Sequence, residues 1–256
     1  MMVRKIICSV GLLIFLVSCQ NDKPSFREII VEQQSASDCD NTACASLFLN
    51  YLECKKPVHF ADNYNKTVRS RITNFILSNQ ESGVVIDSLL TVEQAINVFM
   101  DEYNDLHEHF PEIPPYELIL SDSISFQNKK MLSIASKSYS FLGGAHGFGS
   151  TDYLNFDLSN GQLIANDSLF TDIEQFMKIA ESEFRTQQNI TQENLLNESG
   201  FWFEDDKFHL PQSVGFEGND LILNYNPYEI ASYAAGAIII RIPIEKVQNF
   251  LHYQQL

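Results

Sequence analysis

One stretch of the chain gathers residue types that chemistry could use. In Ser138–Ile164 (SYSFLGGAHGFGSTDYLNFDLSNGQLI) a single histidine, His146, is flanked by Gly143, Gly144, Gly147 and Gly149. Glycine tolerates φ > 0 and close backbone approach, so this loop is tightly shaped whatever its role. A histidine held there could act as an acid/base or as a ligand. It could equally hydrogen-bond its own loop and fix the turn. No Ser, Cys or carboxylate stands at a recognisable catalytic spacing, so no catalytic residue is assigned and His146 is kept as the alternative. A second stretch, Tyr225–Gly236 (YNPYEIASYAAG), places three tyrosines and a proline on one connection. Aromatics presented by a rigid loop are typical protein-binding anchors, and they also pack over sheet ends.

His107-Glu108-His109 could suggest metal. On a helix, however, residues at i and i+2 point to different sides and cannot clamp one ion. The pair suits the negative end of a helix better. GxSxG, P-loop and HExxH patterns are absent, and the glycines at 143–149 do not open a helix after a strand as a dinucleotide loop would. The reading is of no metal and no cofactor.

Arg4 and Lys5 precede an apolar run, Ile6–Val17. About a dozen helical residues rise roughly 18 Å, short of the ~30 Å hydrocarbon core, so the run reads as a signal peptide rather than a span. Leu16-Val17-Ser18-Cys19 resembles the lipobox of bacterial lipoproteins, which implies a lipid-carrying, N-terminal Cys19. No later stretch is long and apolar enough to span a bilayer. Beyond the signal, fifteen basic residues face thirty-three acidic ones, a net charge of −18. That surface repels nucleic acid and anionic lipid and steers cationic proteins inward. Export implies oxidising surroundings, leaving Cys39, Cys44 and Cys54 to pair. Cys39–Cys44 is the expected disulfide, since Asp40-Asn41 suits a turn between them. In Cys44–Cys54, the alternative, the strand-like Ala45–Leu52 would hold the ends apart.

Gln20–Asp38 is polar and reads as a flexible tether, in which Phe26 and Ile29-Ile30-Val31 could add an edge strand. Ala45–Leu52 reads as a strand. Asp62–Ser78 has helical periodicity, and a second helix begins at Thr91 with a Thr91/Gln94 capping box. Pro111 and Pro114-Pro115 make a stiff joint. Tyr116–Ile124, Lys130–Phe141 and Tyr153–Leu158 read as strands, with Asn160-Gly161 as a type I′ hairpin turn into a third strand. A helix spans Asp172–Arg185, capped by Thr171 with Glu174. Lys207–Leu210, Val214–Glu217 and Leu221–Tyr225 read as strands, Ala237–Ile242 as a central strand buried on both faces, and Pro243 opens a last helix. The pattern predicts an α+β fold, an antiparallel sheet with helices packed on one face. The expected parts are a signal (1–18), a tether (19–38), a smaller N-terminal α/β part (39–115) and a sheet-rich C-terminal part (116–256).

Two motifs carry a family resemblance. GGAHG followed by LNFDLSNGQLI, then YNPYEIASYAAG and IRIPIEKVQNFL, resembles the exported domain of unknown function of RsiV-type anti-sigma factors and of the N-terminal half of PdaC-type peptidoglycan deacetylases. The resemblance covers about Lys130–Leu256, with a looser companion near Cys39–Pro111. It implies an α+β fold and a binding role, because the RsiV-type ectodomain captures lysozyme and the deacetylase's catalysis lies in a separate domain. Neither anti-sigma activity nor deacetylation carries over. Pro227, Tyr228 and Tyr233 are the expected partner-binding positions, and Gly143, Gly144, His146 and Gly147 the structural loop. The expectation is a non-enzymatic, lipid-anchored protein of the bacterial envelope, on the periplasmic or outer face of the outer membrane. Its ligand is a cationic protein such as lysozyme, or peptidoglycan. An envelope glycan hydrolase using His146, and a purely structural lipoprotein, are the alternatives.

Overall fold

A computed structural model of the chain describes residues 23–35, 44–77 and 90–253. The signal segment, Cys19 and Cys39 lie outside the described residues. Five strands form one sheet in sequence order: β1 (Ser25–Gln34), β2 (Ser46–Lys56), β3 (Glu117–Gln127), β4 (Met131–Phe141) and β5 (Phe148–Asp157). The tether reading gives way over Ser25–Gln34, whose Phe26 and Val31 pack on the core while the strand pairs antiparallel with β2. β2 and β3 run parallel, so the expected antiparallel sheet is a mixed one. A parallel pair needs a long crossover, and here helices α1 (Val58–Leu77) and α2 (Val92–His109) provide it. The sheet therefore runs across the Pro111–Pro115 joint.

Both helices lie on one face of this sheet. α1 turns Phe60, Tyr64, Val68, Ile72 and Ile76 inward and α2 turns Ala95, Ile96, Phe99, Met100 and Tyr103. They meet Leu47, Leu49, Leu118, Leu120, Leu132, Ile134 and Phe156, the alternate residues of four strands. The Thr91/Gln94 capping box is present in full. Cys54 is a buried free thiol near the end of β2, so the alternative Cys44–Cys54 disulfide is not formed.

A second, antiparallel sheet has the order β6 (Ser213–Glu217), β7 (Asp220–Tyr225), β8 (Ile238–Pro243). Helix α3 (Ile173–Gln187) covers it with Phe176, Ala180 and Phe184, and the short α4 (Ile244–Val247) closes its end. The α3 cap is Asp172 rather than Thr171: its carboxylate accepts the Gln175 N–H at 3.0 Å. β8 is an end strand, not a central one, and Ile239 and Arg241 face outward in alternation. Its free edge is closed by Gln187, whose amide accepts from the Arg241 N–H at 3.1 Å and donates to the Arg241 carbonyl at 2.9 Å. Lys207–Leu210 is not a strand; Phe208 drops into the core and the Tyr225 hydroxyl donates to the His209 carbonyl at 2.6 Å.

The second sheet is seated on the first through β6. Tyr153 N–H donates to Ser213 Oγ at 2.9 Å, Asn155 Nδ2 to the Val214 carbonyl at 2.8 Å, and Phe216 N–H to Ser133 Oγ at 3.3 Å. These side chains, buried at Ser133, Asn155 and Ser213, take the place of a ladder partner for edge backbone. Asn160-Gly161 does turn the chain, but as a longer loop in which only Gly161 has positive φ (+72°). The expected third strand shrinks to a single bridge, Phe156 to Leu163. The loop docks on α1 instead: Asn63 Nδ2 donates to the Asn160 carbonyl at 2.8 Å.

Candidate functional site

The glycine loop links β4 to β5, and the tyrosine connection links β7 to β8. Some eighty residues apart in sequence, they meet in space. The His146 imidazole stacks on the Tyr233 ring with centroids 4.0 Å apart and planes 18° apart. The Tyr233 hydroxyl donates to the Gly147 carbonyl at 2.7 Å. Tyr228 completes the group, its ring 5.5 Å from Tyr233 and 6.5 Å from His146, with its hydroxyl 3.4 Å from His146 Nε2. His146 Nδ1 lies 3.0 Å from the Gly147 carbonyl, so both ring nitrogens have protein partners. His146 stacks on both tyrosines, with planes 18° and 26° apart, while the two tyrosine rings are tilted by 31° to one another.

The loop shape explains the glycines individually. Gly147 is buried against Tyr139, whose hydroxyl would lie 2.2 Å from any added Cβ. Gly143 has φ +78° and sits over Pro114 and Tyr116. Gly144 faces open space and has no packing reason to be glycine. His146 is exposed, Tyr228 is half exposed and Tyr233 partly so. Tyr228 holds φ +72°, a left-handed backbone that costs a tyrosine about 1–2 kcal/mol. Pro227 is partly exposed beside it.

Asn226, just before Pro227, holds the connection in place. Its Oδ1 accepts the Thr151 N–H at 2.9 Å, and its own N–H donates to Glu229 at 2.9 Å. Asn224 Nδ2 donates to the Thr151 carbonyl at 2.7 Å. The sequence reading missed these two asparagines; their signal was the Asn-x-Asn spacing at the strand exit. Behind them lies a polar cluster that it also missed. Arg71 of α1 pairs with Asp152 at 2.9 Å and approaches buried Asp122 at 3.9 Å, while Ser136 bonds both Asp122 and Arg71. Burial pushes the Asp122 carboxyl above the usual carboxylate range, against the Ser136 hydrogen bond and the Arg71 charge. His107 stacks on Tyr103 at the end of α2, and His109 Nδ1 lies 2.7 Å from the Asp105 carbonyl. Among the described residues, no three His, Cys, Asp or Glu gather as a metal site would need.

Residues 146–245 match the model of a protein family of unknown function, DUF3298, and residues 39–149 match that of deacetylase PdaC. The chain resembles both families, one after the other. A DUF3298 family protein from Pseudomonas aeruginosa PAO1 has a similar crystal structure, with TM-score 0.67 and 16% identity over 91% of this chain and 96% of that one. A DUF3298 member from Bacteroides fragilis NCTC 9343 gives 0.59 and 20%, over 89% and 93%. These likenesses are of fold. No curated protein matches the chain. The two matched stretches overlap within the glycine loop. His146 falls in both stretches, Tyr228 and Tyr233 fall in the DUF3298 stretch, and Pro114, Tyr116 and Tyr139 fall in the PdaC-type stretch.

Proposed function

We propose that the chain is a lipid-anchored binding module of the bacterial envelope, without catalysis of its own. In this reading the glycine and tyrosine connections together form the contact surface for a cationic muramidase such as lysozyme. One observation carries it: two loops remote in sequence are locked together by His146–Tyr233 stacking, yet leave Tyr228 open to solvent in a strained backbone. Strain of this kind persists where function needs a side chain in one place. The net charge of −18 supports a basic partner, and the lipobox at Cys19 supports the location. The hydrolase alternative draws less support, because the partners of the His146 ring nitrogens are a carbonyl and a tyrosine rather than an orienting carboxylate.

The test is capture of lysozyme by the mature domain at low and moderate salt, with Tyr228→Ala beside it. Capture by the native domain, reduced about tenfold or more by the substitution, is expected of an exposed aromatic anchor. No capture at either salt removes the muramidase reading. Mass spectrometry of the amino terminus from cells checks the anchor: an unprocessed or unacylated Cys19 removes the location.

A further inference from the structure

The chain's one tryptophan, Trp202, belongs to no site described so far, and it is 54% exposed. It sits between Phe201, partly buried in the second core, and Phe203, which is 2% exposed. The backbone around it is pinned. Asn197 brackets Phe203, its Oδ1 accepting the Phe203 N–H at 2.7 Å and its Nδ2 donating to the Phe203 carbonyl at 2.8 Å. Asn197 N–H donates to Asp206 at 2.7 Å. Trp202 N–H donates to the Ile230 carbonyl at 2.8 Å, which ties this loop to the tyrosine connection. Of the four non-glycine residues with positive φ among the described residues, Asp205, Asp206 and Tyr228 belong to these two joined loops. A single exposed aromatic is common on a protein surface; here the backbone on both sides of it is fixed, so the indole is presented from a rigid loop, as aromatic contact residues are.

The loop that carries the indole is acidic. Glu198, Glu204, Asp205 and Asp206 fall within one loop, in which Lys207 is the only base and pairs with Asp205 at 3.4 Å. Glu198 and Glu204 are exposed. An indole face attracts a cation through its quadrupole, and nearby carboxylates add to that attraction. We propose that Trp202, with Glu204 and Asp205, is a second contact element that takes an arginine or lysine side chain of a basic protein over the indole face. The proposal rests on the binding role above but assigns it a separate loop and a separate chemistry.

The single tryptophan makes its own probe. The mature protein is titrated with a tryptophan-free (Arg-Gly)4 peptide carrying a fluorescent label, whose anisotropy reports total binding. Acrylamide, an uncharged quencher, reports exposure of Trp202. Saturating peptide is expected to cut quenching at least about twofold, because a stacked guanidinium covers the indole. Trp202→Ala is expected to weaken the peptide about fivefold without lowering the melting temperature, and Glu204→Gln with Asp205→Asn to weaken it and flatten its salt dependence. Peptide binding that leaves Trp202 equally quenched overturns the proposal. So does shielding of Trp202 by chitotetraose but not by the peptide, which would make the ligand a neutral saccharide. Lost lysozyme capture with Trp202 still shielded by peptide counts against the muramidase reading alone. Retained capture with Trp202 unshielded counts against this proposal alone.

Discussion

Gly215→Ala tests how the two sheets are joined. A Cβ at Gly215 would lie 2.2 Å from both Cβ and Cγ of Tyr153. Carbon atoms rest about 3.5–4.0 Å apart, so the strands must part by more than about 1 Å. Tyr153 Cβ is fixed to the β5 backbone and cannot swing away. Parting would stretch the three bonds that seat β6, now at 2.9, 2.8 and 3.3 Å, toward or beyond the range where they hold. At about 1 kcal/mol each, their loss costs about 3 kcal/mol. If the strands stay put, overpacking costs about 1–3 kcal/mol instead. Either is a large part of a typical stability of about 5–15 kcal/mol. Urea unfolding of the mature protein measures it. Tyr153→Gly removes both contacted atoms, so the double variant should be no less stable than Tyr153→Gly alone, a coupling of about 2 kcal/mol. A Gly215→Ala loss under about 1 kcal/mol, or simple additivity with Tyr153→Gly, would show that β6 is not seated as described.

Other perturbations have equally definite outcomes. Tyr228→Gly should be about 1 kcal/mol more stable than Tyr228→Ala by thermal unfolding, because only glycine adopts φ +72° freely, while both lose partner capture. Asp122→Asn should gain on the native protein as pH rises. The folded Asp122 carboxyl titrates above its unfolded value near 4, so its favourable contribution is complete below that value and is lost as pH climbs through the raised one. A stability difference constant from about pH 3.5 to 7 would contradict this. Gln187→Ala frees the N–H and carbonyl of Arg241 on the β8 edge. It should cost about 1 kcal/mol and promote self-association in sedimentation, since the bared edge carries Ile239, which is 46% exposed.

What could be read in advance was what depends on local chemistry. The inward faces of α1 and α2 followed from 3.6-residue spacing, and the Thr91/Gln94 box from two side chains three residues apart. The α+β class followed from grouped helices and hairpins. What escaped depended on partners far along the chain. β1 reads as tether because its composition is polar; Phe26 and Ile29-Ile30-Val31 hint at an edge strand, but its full length, Ser25–Gln34, depends on pairing with β2. The parallel register of β2 with β3 leaves no local trace, since the crossover joining them reads simply as two helices. β8 was mistaken for a central strand because AIIIRI is a nearly continuous apolar run, broken only by Arg241; the sheet ends there, and Ile239 is left facing water.

The same distinction explains why the candidate site was half legible. His146 and the tyrosines stood out by composition, but composition could not say that they touch. Contact depends on where β5 and β7 leave their sheets. Those exits are set by Asn224 and Asn226 bonding Thr151, and by the absence of a side chain at Gly215 that lets β6 lie close to Tyr153. The partner surface and the seating of the second sheet are thus one structural problem. A change that lifts β6, though it touches none of the three rings, should separate His146 from Tyr233. In Gly215→Ala, weaker lysozyme capture would then accompany lower stability, whereas Tyr228→Gly should weaken capture while making the fold more stable than Tyr228→Ala does. The two glycine-centred variants therefore separate loss of the anchor from loss of its support.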